Sequence, residues 1–293
     1  MTTPTTRPST LAGSWYPATP AVLDRDLAAY FETPFEGADP PPGPPDLLMV
    51  PHAGYAYSGP TAGIGYGLLR GARFDRAVIL APNHRHFLDA IACPDYSALA
   101  TPLGDQPVDT AAVHRLRDHP AFAGDPAAHD AEHAVEIQVP MLQTVLPEVP
   151  IAPLLVPRLA PSLRWEAAKA LRDLDGRTLW IVSTDMTHYG ADFGFAPFPE
   201  DPQQGIRELD EGALAHIMDW DARALLDYGR RTGITMCGLQ AMALAMIALG
   251  EPAPTLRRLG YARSGDRDGN YDLSVSYATV AGWRDGTNGD ETR

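Results

Sequence analysis

The chain has 293 residues, of which 45% are hydrophobic and 20% charged, enough apolar material for a large core and too much for global disorder. Its 23 Lys+Arg against 37 Asp+Glu leave a formal charge of −14, which argues against nucleic acid or an anionic membrane surface as partner. The two cysteines, Cys93 and Cys237, are too few for a disulfide scaffold and fit a reducing, cytoplasmic setting.

Met1 to Pro17 is rich in Thr and Pro and lacks the apolar stretch of a signal peptide. No apolar run approaches the roughly 18 residues needed to span a bilayer, so the sequence predicts a soluble protein. Residues 1–11 read as an N-terminal tail, 12–283 as one domain, and 284–293 as a solvated C-terminal tail. Thr19-Pro20 looks like an N-cap followed by proline at the first helical position, and Leu23, Leu27, Tyr30 and Phe31 then share a helical face. The run from Pro40 to Pro45 reads as a semi-rigid connection.

Beyond it, apolar runs alternate with helical patterns. Leu47–Val50, Ala77–Leu80, Ile151–Val156 and Leu179–Val182 predict buried strands. Helices are expected near 59–71, 109–118, 133–146, 162–174, 205–218, 221–230 and 237–249, with β segments at about 255–263 and 273–283. This order predicts a single three-layer α/β domain with a mainly parallel or mixed central sheet flanked by helices.

Three of the strand-like runs end in polar clusters. Met49-Val50-Pro51-His52 places an imidazole just past a strand, and Leu80-Ala81-Pro82-Asn83-His84 repeats the arrangement. Ile181-Val182-Ser183-Thr184-Asp185 continues to His188 and adds a carboxylate. Open α/β sheets bind ligands outside the carboxyl ends of their strands, so the three clusters are expected to converge on one pocket. A single strand-end histidine is more often a hydrogen-bonded structural residue than a ligand. Three in equivalent positions favour a site, because burying several imidazoles without a task is costly. His114, His119, His129 and His216 lie in polar or helical surroundings and are expected at the surface.

Glu132 and His133 open a helical run that Asp130 could cap. They read equally well as a charged helix start and as an acid–imidazole pair beside the pocket. Cys237 precedes Gly238 where a helix is expected to begin, a position whose dipole favours the thiolate. It reads as a nucleophile or metal ligand, or as a small buried residue. The loop around Gly54 and Gly59 has neither dinucleotide nor P-loop spacing, and no GxSxG, HExxH or paired CxxC motif occurs.

Several blocks in order resemble the Memo family: AGSWYP from Ala12, PHAGYAYSG from Pro51, APNH from Ala81, EHAVEIQVP from Glu132, STDMTHYG from Ser183, MCG from Met236 and SVSYA from Ser274. The resemblance covers nearly all of residues 12–283 and implies a fold like that of class III extradiol ring-cleaving dioxygenases. It also implies a metal pocket of two histidines and one cysteine, which fall here on His52, His84 and Cys237. Tyr57, Asp185 and His188 match its polar lining, and His133 is expected close by. The dioxygenases complete their metal set with a carboxylate where this sequence has a cysteine. Two imidazoles and a thiolate suit copper(I) or zinc as readily as iron.

The resulting expectation is a non-haem Fe(II) oxidoreductase of dioxygenase type, with O₂ and a small phenolic or aromatic substrate as partners. His188, oriented by Asp185, would be the general acid/base, with Tyr57 hydrogen-bonding the substrate. A copper- or ligand-binding protein without turnover, and a zinc-type hydrolase, are the alternatives.

Overall fold

The computed structural model describes residues 5–37 and 41–284. In chain order the strands are β1 (Thr6–Arg7), β2 (Leu47–Val50), β3 (Arg76–Ala81), β4 (Ile91–Cys93), β5 (Ala98–Thr101), β6 (Gly104–Pro107), β7 (Phe122–Gly124), β8 (Ile151–Leu155), β9 (Thr178–Ser183), β10 (His188–Gly190), β11 (Thr255–Arg263) and β12 (Leu273–Trp283). The helices are α1 (Pro20–Phe31), α2 (Tyr55–Gly67), α3 (Thr110–Arg117), α4 (Pro126–Asp130), α5 (His133–Glu136), α6 (Val139–Val145), α7 (Pro161–Arg172), α8 (Pro202–Met218), α9 (Ala222–Thr232), α10 (Leu239–Leu249) and α11 (Gly265–Asp268).

The described residues form a nine-stranded mixed sheet and a separate three-stranded sheet, β1-β5-β6. The centre of the large sheet runs β12-β2-β9-β3-β8-β4-β7, and β12 is long enough to pair with β2, β10 and β11. β2, β9, β3 and β8 are mutually parallel and almost wholly buried, which is why they read as continuous apolar runs rather than as alternating ones. Helices α1, α2, α5 and α6 pack together on the sheet, and α7 to α10 form the other helical group, giving the three layers expected. The α1–α2 packing is close: a Cβ on Gly63 would lie 2.5 Å from the Tyr30 carbonyl oxygen.

Four expectations need correction. Residues 6–11 are not a free tail, because β1 pairs with β5 and Arg7 is buried against Glu136 at 2.8 Å; Met1–Pro4 lie outside the described residues. The 133–146 helix is two helices, broken at Ile137–Gln138 ahead of Pro140, whose nitrogen cannot donate. Its first turn is capped by Glu132, not Asp130, since the Glu132 carboxylate accepts the Ala134 N–H at 2.9 Å. His129 is buried rather than at the surface, donating through Nε2 to the Ala92 carbonyl at 3.0 Å. Of the Pro40–Pro45 connection and the C-terminal tail, Pro40 and residues 285–293 lie outside the described residues.

α2 begins at Tyr55, four residues before its expected start, and keeps Pro60 in its interior. Proline there leaves the Ala56 carbonyl without its helical donor, and the Arg267 guanidinium donates to that oxygen instead. This places the Arg267 cation 5.4 Å from the centre of the Tyr57 ring.

Candidate metal centre at the carboxyl edge of the sheet

His52, His84 and Asp185 all lie just past the carboxyl ends of parallel strands, β2, β3 and β9. The β2–β9 register pairs Val50 with Ser183, so two residues further on His52 is level with Asp185. The Asp185 carboxylate accepts the His52 backbone N–H at 2.7 Å. Cys237 arrives from the other helical layer, immediately before the Gly238 that precedes α10. Glycine is required there, because a Cβ would lie 2.3 Å from the Thr184 Cβ and 2.8 Å from the Ser183 carbonyl oxygen.

The donor atoms of His52, His84 and Cys237 all lie within 4.8 Å of one another. Those of His84, Glu132 and His133 form a second such group sharing His84. The His52 and His84 ring centroids are 5.3 Å apart, and His133 stacks on His84 at 4.4 Å while Trp15 covers His133 at 4.7 Å.

Hydrogen bonding fixes the state of the His52 and His84 imidazoles. Ser183 Oγ donates its one hydrogen to the Ala134 carbonyl at 2.6 Å and accepts from Gln138 Nε2 at 2.8 Å. At 2.9 Å from that oxygen, His52 Nδ1 must therefore carry the proton and donate it. Gln138 is itself saturated, donating to the Pro51 carbonyl and accepting from the Tyr66 hydroxyl. Likewise Glu132 Oε1 accepts the Nδ1–H of His84 at 2.9 Å, while Oε2 accepts the His84 backbone N–H at 2.7 Å. Both imidazoles thus keep Nε2 as a bare donor, the arrangement outer-sphere partners impose on metal-binding histidines.

The electrostatics agree. Burial, together with His84 and His188, holds the His52 imidazole well below its ordinary pKa and keeps it neutral. Burial, then the His52 and His84 imidazoles, lower His133 to about 3. Burial alone would raise Glu132, but the hydrogen bond and charge of His84, with the Ala134 and His84 N–H groups, bring it down to about 2. Cys237 departs from expectation: burial and the Asp185 carboxylate push its thiol up, outweighing the Asp185, Thr184 and Gly238 contacts that favour the anion. Its sulfur lies 3.1 Å from His52 Nε2, so the S–H has a bare nitrogen to donate to.

A cation would resolve that contact, because metal binding replaces the thiol proton. Metal bonds of about 2.0 Å to nitrogen and 2.3 Å to sulfur bring donor atoms to about 3–4 Å apart, a range that includes the His52–Cys237 separation. The residues present therefore fit a transition ion. A buried orphan stands beside them: among the described residues His133 Nδ1 has no hydrogen bond, its approach to Glu132 Oε1 being 3.4 Å without hydrogen-bond geometry.

His188 is brought to the same edge, but Asp185 does not set its tautomer. Its Nδ1 donates to the Thr235 carbonyl at 3.2 Å, and Nε2 faces Asp185 Oδ2 at 4.0 Å, too long for a hydrogen bond. Burial raises the Asp185 carboxyl, opposed by His188 and the His52 N–H. Tyr57 is 51% exposed, and among the described residues its hydroxyl makes no hydrogen bond to the cluster. Tyr277 is the residue that sequence reasoning passed over. It is buried, and burial with the nearby Asp185 carboxylate pushes its phenol up, so it stays a donor. Its only sequence signal was its place in the SVSYA block.

Comparison with known proteins agrees with the resemblance. A family model described as Memo-like protein matches residues 7–281. The memo-1 homolog of Caenorhabditis elegans is 30% identical over 289 residues, which span 94% of this chain and 81% of that protein. A MEMO1 family protein of Methanopyrus kandleri is 31% identical over 287 residues, and one of Thermotoga maritima is 32% identical over 288; each alignment spans 94% of this chain and 98% of the relative.

Proposed function

This chain belongs to the Memo family, and from that premise and the donor geometry we propose that it is a metal-dependent oxidoreductase of dioxygenase type acting with O₂ on a small phenolic or aromatic substrate. His52, His84 and Cys237 would hold one Fe(II) ion. The observation that carries the reading is the pair of Nδ1–H imidazoles, each locked by a buried partner, with donor atoms within 4.8 Å of one sulfur and His52 Nε2 3.1 Å from it. When bound, the ion supplies the Lewis acidity and redox chemistry that these side chains lack.

The chain's own residues handle the protons. His188, held by the Thr235 carbonyl at Nδ1, presents Nε2 as the base for a substrate hydroxyl. The imidazolium formed there would face the Asp185 carboxylate, whose position is fixed by the His52 N–H. Tyr57, exposed at the start of α2, would donate to a substrate oxygen from the solvent side, and Tyr277 would remain a neutral donor beneath it. Trp15 and the stacked His84 and His133 rings make an aromatic wall suited to a planar ring. A cytoplasmic location would keep the Cys237 sulfur reduced and available.

The test is oxygen uptake by anaerobically iron-loaded protein across catechols and aminophenols. Uptake that needs Fe(II) and substrate together, and falls in His188→Asn with iron content unchanged, supports the reading; no uptake across the panel overturns it. One observation favours a second reading. The third donor is a half-buried sulfur rather than a carboxylate, which suits copper(I) held without turnover. Tight copper(I) binding, lost in Cys237→Asp, with no oxygen uptake would select it.

A further inference from the structure

On the side of α7, α9 and α10 lies a cavity of about 340 Å³ that shares only Cys237 with the candidate metal centre and contains neither His52 nor His84 in its wall. Its wall carries three guanidinium groups, Arg158, Arg164 and Arg230, and no carboxylate. In a chain of net charge −14, that is a local reversal of sign. Arg158, just past β8 at the same carboxyl edge of the sheet, has no hydrogen-bond or ion-pair partner among the described residues and is exposed. Arg164 is half-buried and braced: Nη2 donates to the Leu159 carbonyl at 3.0 Å and to Gln240 Oε1 at 2.8 Å. Among the described residues its Nε and Nη1 hydrogens have no acceptor. Of the three, Arg230 alone has an acidic partner among the described residues, Asp227.

The three charges act on one another. All three line the one cavity, and burial, then the Arg158 and Arg230 charges, lower the Arg164 pKa. Like charges gathered around one cavity are destabilising unless an anion is there to share. Two further features add positive potential. α7 begins at the cavity at Pro161 and α10 at Leu239, and neither helix has a side-chain cap on its first turn. Leu226, Ile234 and Met236 give the wall an apolar patch, beside the Gln240 amide and the Cys237 thiol.

We infer that this cavity is a binding site for a small organic anion, a carboxylate or phosphate carried on an apolar body, with the anionic group held by Arg158 and Arg164 and the body seated on the Leu226–Ile234–Met236 wall. The volume falls in the range of small-ligand pockets, and planar guanidinium forks match both carboxylate and phosphate oxygens. The site goes beyond the metal reading and does not rest on it.

The experiment is calorimetric titration of the full chain with benzoate, phenyl phosphate and the neutral benzyl alcohol, in low salt and again in high salt. Saturable 1:1 binding of an anion, weakened about tenfold or more in Arg158→Glu and in high salt, is expected, with benzyl alcohol not binding. Tighter binding of phenyl phosphate than of benzoate would identify the dianion as the preferred group; the reverse order would identify the carboxylate. His84→Ala, which removes a candidate metal donor outside this cavity, should keep the anion affinity while losing metal, which separates the two sites. The inference is overturned if neither anion saturates, if Arg158→Glu binds as the parent does, or if benzyl alcohol binds equally well.

Discussion

Glu132 holds His84 with both carboxylate oxygens, Oε2 accepting the backbone N–H at 2.7 Å and Oε1 the Nδ1–H at 2.9 Å. The same Oε1 accepts the Ala134 N–H and so caps α5. One side chain therefore orients the His84 ring, fixes its tautomer and starts the helix that carries His133. Glu132→Gln keeps the shape but offers only one acceptor oxygen for these three N–H groups. Metal affinity should fall about 10- to 100-fold, the usual cost of losing an outer-sphere partner. Competition titration with a chromophoric chelator measures it, and an affinity equal to the parent's would remove Glu132 from the metal centre.

Arg7 holds the backbone beside that carboxylate. Its guanidinium donates to the carbonyls of His129, Asp130 and Glu132 as well as to Glu136, and the two charged side chains are 4% and 0% exposed. Arg7→Ala leaves the Glu136 carboxylate buried with only its Ser9, Thr10, Leu11 and Tyr16 donors. Denaturant unfolding should show a loss of about 3–5 kcal/mol, the typical effect of breaking a buried pair. Replacing Arg70, whose partner Glu32 is exposed, should cost about 1 kcal/mol or less. Equal losses in the two variants would contradict the assigned role of Arg7.

These two contacts show where sequence reading ends. β2, β3, β8 and β9 are legible because strands buried on both faces leave unbroken apolar runs. His52, His84 and Asp185 are legible because a polar residue directly after such a run has a predictable place. β5 and β6 carry no such pattern; they exist through pairing with each other and with Thr6–Arg7, more than 90 residues away in the chain. His129 has Asp125 and Asp130 nearby and reads as surface, yet Arg7 and Tyr96 cover it from distant segments. Cys237 was placed correctly before a helix, but its protonation follows burial and Asp185 rather than the dipole. Local spacing carries none of this.

The burial of His129 has a pH consequence. Burial lowers its pKa from 6.5 to about 4, against the opposing Ala92 hydrogen bond, so the folded protein keeps it neutral where the unfolded chain protonates it. Its contribution to stability is full above about pH 6.5 and is lost as pH falls toward 4, at up to about 1.4 kcal/mol per pH unit. His129→Leu should be less stable than the parent near pH 8, having lost the bond to Ala92, yet show a shallower decline in acid. Urea unfolding across that range compares the slopes. Identical slopes would mean that His129 titrates normally in the folded state.

Gly238 and Gly63 allow geometry at the metal centre to be separated from stability in general. Gly238→Ala forces a Cβ to within 2.3 Å of the Thr184 Cβ, so α10 or the end of β9 must move, and Cys237 moves with it. Gly63→Ala makes a comparable clash, 2.5 Å from the Tyr30 carbonyl oxygen, but between α1 and α2. Both variants should lose about 1–3 kcal/mol on denaturation. Only Gly238→Ala should also lose metal affinity, because the sulfur sits 3.1 Å from His52 Nε2 and is held by the Asp185 N–H at 3.2 Å. Chelator competition on the two proteins reads the difference, and a matching drop in both would mean that affinity follows overall stability rather than the position of Cys237.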